Sequence, residues 1–289
     1  MRSAILAILL ALPAILHSQS VTVTPPIVES GSPELIRVHA PHPLTKVEGE
    51  WLGHKVEFFK GIEANTWFAL AGVDVEAPAG PSSLKITAYS QEKPRDLSIN
   101  VPIRPARYHT STITVEPKFV EPGPDDQKLI EAASKAKEQA FALAENDGAE
   151  SPFWSGNFQV PVKAAATDSF GTRRTFNGKL ASIHKGTDFR AASGTPVLAG
   201  NSGTVILAQK LFYEGNCVMV DHGLGLISIS MHLSRIDVKP GELVTKGQTL
   251  GLSGATGRVT GPHLHWAIRW QGVMLDPVKL LHLNLNSLK

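Results

Sequence analysis

Short alternations of apolar and polar residues, broken every few residues by glycine or proline, run through most of this chain and leave room for little besides β-structure. Val21 and Val23 alternate with threonines, and Leu84, Ile86 and Ala88 alternate with polar residues, as do Ile99, Val101 and Ile103. Pro25-Pro26, Pro41, Pro43, Gly49, Gly53, Gly72, Pro78 and Pro81 punctuate these runs. Turns at that frequency predict an immunoglobulin-like β-sandwich over residues 21–105, with Trp51 and Trp67 in its core. His39, His42 and His54 carry no ligand spacing, so this region gives no catalytic signal.

One stretch breaks the pattern. After an extended connection from Pro105 to Pro124, a helix is predicted with Asp125 as N-cap, ending at Asn146-Asp147-Gly148. Leu129, Ala133, Ala136, Ala140, Phe141 and Ala144 form an apolar stripe, most simply a docking face on a neighbouring domain. Residues 106–150 therefore read as an extended and helical linker. From Phe153 onward, glycine-rich turns again separate short strands: Val197 to Ala199, Thr204 to Ala208, Val218 to Val220, Leu226 to Ile229 and Thr249 to Gly251. Residues 151–289 are predicted to form an antiparallel β-domain around a groove, with a short helix over Val278 to Leu283. The whole chain is thus mainly β.

A chain of 289 residues has room for two cores. Its net charge of +2 gives no argument for a nucleic-acid partner. Arg2, the apolar run Ala4 to Ile15 and Ser18-Gln19-Ser20 read as a secretory signal peptide over residues 1–20, with an uncleaved anchor as the alternative. The mature protein is expected in the periplasm or cell envelope, or secreted, with no stable membrane span. Cys217 is the single cysteine, so no internal disulfide can form, and its apolar neighbours predict burial.

The chemistry is carried by histidines. His263 and His265, two apart after Gly261-Pro262, point to one side of a strand. His184 precedes Asp188 by four residues, and Gly186 between them argues for a bend that lets them converge. A histidine nitrogen, a carboxylate and one more imidazole make a three-ligand zinc site with an open position for water. A remaining histidine nearby, for which His232 is available, could take the water proton or stabilise an oxyanion. Each motif also has a plain reading: His184 and Asp188 as a surface pair, His232 as a satisfied histidine at a strand end.

Taken together, Phe170-Gly171-Thr172-Arg173-Arg174, His184-x-x-x-Asp188, Asp221-His222-Gly223, His232-Leu233-Ser234 and Gly261-Pro262-His263-Leu264-His265-Trp266 resemble, in that order, the lysostaphin/LytM-type zinc metallopeptidases, the twenty-third metallopeptidase family. The resemblance covers about Phe153 to Pro277. It implies a compact antiparallel sheet, a Zn2+ cofactor and peptidoglycan cross-link peptides as substrate. His184, Asp188 and His265 would be the zinc ligands, His232 and His263 the catalytic pair, and His222 structural. Two departures stand out. Ser230 holds a position that is tyrosine in many members, and no tyrosine lies between Phe153 and His184, which leaves Arg173 or Arg174 as substitutes. This favours D-alanyl–diamino acid bonds over Gly-Gly. The alternatives are a non-catalytic wall-binding module or amidase activator on the same fold, or a secreted lytic toxin. The N-terminal β-domain and the helix, with no chemistry of their own, are expected to fold over the groove and keep the enzyme latent until it is processed or bound.

Overall fold

The structure is a computed structural model that describes residues 19–289 except Glu92, Ser287 and Lys289. Of the signal peptide expected over residues 1–20, all but Gln19 and Ser20 lie outside the described residues.

The first region builds two four-stranded antiparallel sheets. One runs Ser20–Thr24, Pro33–His39, Thr66–Gly72, Phe59–Lys60; the other runs His54–Glu57, Lys46–Trp51, Ser83–Tyr89, Arg95–Asn100. The alternation read from sequence decides which side chains turn inward: Leu84, Ile86 and Ala88 are buried, whereas Lys85 is exposed. Trp51 is in the core as expected. Trp67 is only half-buried, because Phe68 beside it takes the inward direction of that strand.

The second region is organised by an eight-stranded sheet. Its order is Ala166–Asp168, Thr187–Phe189, Leu264–Trp270, Leu226–Leu233, Gly215–Asp221, Gly203–Leu211 and Leu243–Val244, and Val273–Leu275 pairs back onto Leu264–Trp270. Strand Leu264–Trp270 shows how its two faces divide the labour. Leu264, Trp266, Ile268 and Trp270 enter a large core shared with the first region, while His265, Ala267 and Arg269 face the other way. On the core side, Trp270 meets His54, Phe59 meets Trp154 edge-on, and Leu275 packs onto the backbone of Gly72. The N-terminal module is therefore docked behind the sheet.

The long helix, Pro124–Glu145, covers one end of the opposite face. Ala133, Ala140 and Ala144 pack there on Leu207, Leu211, Met219, Ile227 and Ala267, with Cys217 fully buried beneath them. Small side chains let the helix lie close, so the predicted stripe is a docking face, although Leu129 in its second turn stays exposed. The N-cap is Gly123, two residues before the expected Asp125. Pro124 has no N–H to lose at the first helical position, and the Asp126 carboxylate accepts the Gly123 N–H. Arg269 holds the far end through Glu145 at 2.9 Å and the face of Phe141.

The connection before the helix contains a strand. Thr110–Ile113 pairs in parallel with Arg173–Phe176, which pairs in turn with Leu180–Ile183. Tyr108 anchors it, donating its hydroxyl to the Ser30 carbonyl and lying against Phe170 and Gly171. The end of the sheet face left open by the helix becomes a groove bounded by this small sheet.

Candidate metal centre

Cross-strand register brings two of the predicted ligands together. Asp188 lies opposite His265 in antiparallel pairing, so both side chains stand on the same face. His184 follows directly on Leu180–Ile183, and Lys185-Gly186 lead from it into Thr187–Phe189. The absence of a side chain at Gly186 is required by a close approach: a Cβ there would sit 2.5 Å from His265 Nε2. The result is a tight triangle. His184 Nε2 is 3.1 Å from Asp188 Oδ1 and 2.9 Å from His265 Nδ1, and His265 Nδ1 is 2.9 Å from Asp188 Oδ1.

The surroundings orient each donor. His184 Nδ1–H donates to the Ser169 carbonyl at 3.0 Å, which leaves Nε2 with its lone pair toward the triangle. Asp188 Oδ2 accepts from Arg174 Nη2 at 2.6 Å, and Arg174 is held in place by Asp168. Burial pushes the Asp188 carboxyl up, but its close contacts with the His184 and His265 imidazoles hold it well below the usual carboxylate range. All three ligands are buried, and two imidazole nitrogens plus one carboxylate oxygen converging on a point fit a tetrahedral zinc site with one position open to the groove.

His232 and His263 stand beside the triangle with ring centroids 4.9 Å apart. His263 donates Nδ1–H to the Gly261 carbonyl, and its Nε2 is 3.7 Å from Asp188 Oδ1. His232 donates Nδ1–H to the Thr256 carbonyl at 2.9 Å. It adopts φ 66°, in the left-handed region, and its N–H is tied to the Glu214 carbonyl. Burial, reinforced by the neighbouring imidazoles, pushes the His232 pKa down to about 3, so the ring is neutral. His222 lies elsewhere: fully buried, with both ring nitrogens satisfied by Ser202 and Ser228, as expected of a structural histidine.

These five residues line a groove of about 420 Å³ whose walls hold residues that sequence reasoning passed over: Ile113 and Val115 from the connection, Tyr213 and Glu214 from the hairpin after Gly203–Leu211, and Arg258. Tyr213 reaches the site from a position outside the window in which a tyrosine was sought. Ser230 pairs with Trp266 and so lies on the sheet face away from His265. Of the two candidate arginines, Arg174 is committed to Asp168 and Asp188, and Arg173 lies in a separate recess with Glu76. Among the described residues, none from 21–105 lines the groove.

Residues 182–277 match the model of peptidase family M23. Over 123 residues the chain is 40% identical to the peptidoglycan DD-endopeptidase ShyA of Vibrio cholerae, covering 42% of this chain and 29% of that protein. Over 98 residues it is 38% identical to the DD-carboxypeptidase/endopeptidase Mpg of Neisseria gonorrhoeae, covering 34% of this chain and 23% of that one. The chain thus spans less than a third of these curated relatives. A crystal structure from Pseudomonas aeruginosa, described as a candidate peptidase M23, superposes with a TM-score of 0.65 at 28% identity, covering 88% of this chain and 94% of that one. That likeness takes in the N-terminal region as well.

Proposed function

We propose, from the premise that residues 182–277 of this chain form a peptidase family M23 domain, that the protein is an exported zinc-dependent endopeptidase hydrolysing the peptide cross-links of bacterial peptidoglycan. The observation that carries this reading is the convergence of His184, Asp188 and His265, with two further histidines flanking the open side. D-alanyl–diamino acid bonds are the preferred target, in keeping with the activities named for the similar proteins. In this reading residues 151–289 do the chemistry, 21–105 are an immunoglobulin-like accessory module, and 106–150 connect them. Latency, if imposed by the module, acts through the connection, since Ile113 and Val115 line the groove.

Zinc bound by His184, Asp188 and His265 supplies a Lewis acid that polarises a carbonyl and acidifies water. The protein's own groups do the rest. His232 and His263 are each pinned at Nδ1 to a backbone carbonyl, so each presents Nε2 to the groove as a proton acceptor. One takes the proton of the attacking water at Nε2 and passes that same proton to the amine as the scissile C–N bond breaks; the other accepts a hydrogen bond from the water's remaining O–H at its own Nε2 and aims it. Arg174 keeps Asp188 aimed, leaving Oδ1 toward the triangle.

The test is digestion of purified, cross-linked peptidoglycan with the zinc-loaded mature protein beside Asp188→Ala, with muropeptides separated and weighed. Dimers converted to monomers only by the parent protein support the endopeptidase. Wall binding with no change in muropeptides would favour the non-catalytic module instead.

A further inference from the structure

Three cationic side chains line the groove, and two are spoken for. Arg174 is bound by Asp168 and Asp188, and Lys185 extends toward Glu76 at 3.9 Å. Arg258 differs. Its guanidinium lies over the faces of Phe176 and Tyr213, 4.4 Å and 4.8 Å from their centroids, and no carboxylate among the described residues pairs with it. The nearest acid in the groove wall, Glu214, is engaged by Lys137 at 2.5 Å. The backbone is built to seat this arginine: Gly257 takes φ 79° against the backbone of Gly215, and the Arg258 N–H donates to the Tyr213 carbonyl at 2.8 Å.

We infer that Arg258 is the carboxylate-recognition residue of the groove, receiving a free carboxylate of an acidic stem peptide next to the metal ligands. A partly buried guanidinium has given up water, and burial pushes its pKa down, a loss that Tyr213 and the Glu214 carboxylate offset only in part. The two rings keep its fork from swinging into solvent, so a ligand carboxylate meets a preorganised bidentate donor. Stem peptides carry such carboxylates wherever an acidic or diamino residue is linked through its side chain. The identity of the ligand rests on the endopeptidase reading; its chemical class rests on the geometry of Arg258.

The experiment measures binding, so that the two readings fail separately. A monomeric acidic stem tetrapeptide, which has no cross-link to cut, is titrated calorimetrically into the zinc-loaded full chain, beside the same peptide with its carboxylates amidated. The parent protein should prefer the free acid about tenfold, in the range of a charge-assisted hydrogen bond. Arg258→Met should bring the acid down to the affinity of the amide and leave the amide unchanged. Arg258→Lys, which keeps charge without the fork, should retain part of the preference, and it decides the matter if the Met variant melts early. Equal weakening of both peptides, or of neither, overturns the inference and makes Arg258 a structural clamp on Phe176 and Tyr213. Selective binding through Arg258 in a protein that cleaves no cross-linked dimer would retain the subsite and reject the endopeptidase.

Discussion

Glu34 in the N-terminal module and Asp188 in the second region are both buried on strands, and the two are treated in opposite ways. Glu34, in the N-terminal module, is fully buried with one donor, the Ser32 hydroxyl at 2.5 Å, while its Oε2 has no partner. Burial pushes its pKa up to about 8, so it is neutral at pH 7. Asp188 is nearly as buried, yet two imidazoles hold it ionised and an arginine donates to its Oδ2. A lone buried carboxyl is a local cost absorbed by the core around it. A carboxylate held ionised beside two oriented imidazoles makes a donor set that fits a cation.

The contrast breaks most visibly at Asp188. Asp188→Ala removes one of the three proposed ligands and should abolish stoichiometric zinc, measured by metal analysis, while lowering cross-link cleavage by at least about 10⁴-fold. Retained zinc with retained cleavage would mean that the triangle is not the metal centre. His263→Ala and His232→Ala sharpen the division of roles. Each should keep its zinc and lose about 10²–10⁴-fold in kcat, the range of general acid–base catalysis. Loss of metal from either variant would make that residue a ligand.

At Glu34 the expected effect is on stability and has a defined sign. Between about pH 4.5 and about pH 8 the folded carboxyl holds a proton that the unfolded one has released. The native state therefore binds more protons than the unfolded chain, and stability falls as pH rises through that window. Glu34→Gln abolishes this term, so its stability relative to the parent should grow by a few kcal/mol, about 5 at most, between pH 4.5 and pH 8. Denaturant unfolding of both proteins at pH 5, 6.5 and 8 checks it, and a constant difference would show that Glu34 ionises normally. The other titrating groups are common to both proteins and cancel in the comparison.

Both carboxylates differ in how far the sequence announced them. His184, Asp188 and His265 were legible because strand periodicity and the Gly186 bend are local signals, and the five motifs together restrict the roles. The alternation that put Leu84 and Ile86 inside is local in the same sense. Glu34 gave no sign, since its burial comes from strands distant in sequence closing over it. Tyr213 and Arg258 were invisible for a related reason. They reach the groove from a hairpin and a loop whose meeting depends on Gly257 resting on Gly215, a contact with no periodic signature. The strand Thr110–Ile113 was read as bare connection because four residues pairing in parallel with a distant strand leave no turn signal between them.

Arg174 offers the finest adjustment, because it touches Asp188 without touching the metal position. It accepts nothing and donates to Asp168 and Asp188, so its removal deprives Asp188 Oδ2 of a partner and makes that carboxylate locally more like Glu34. Arg174→Ala should weaken zinc about 10–100-fold, the usual scale for a residue that orients a ligand, without abolishing binding. Arg174→Lys should recover part of the affinity through charge but not all of it, since one ammonium cannot reproduce the fork that spans two carboxylates. Competition against a chelator of known affinity reads both variants. If Arg174→Ala binds zinc as tightly as the parent, Asp188 is held ionised by the imidazoles alone, and the arginine serves only to join Asp168 to the sheet.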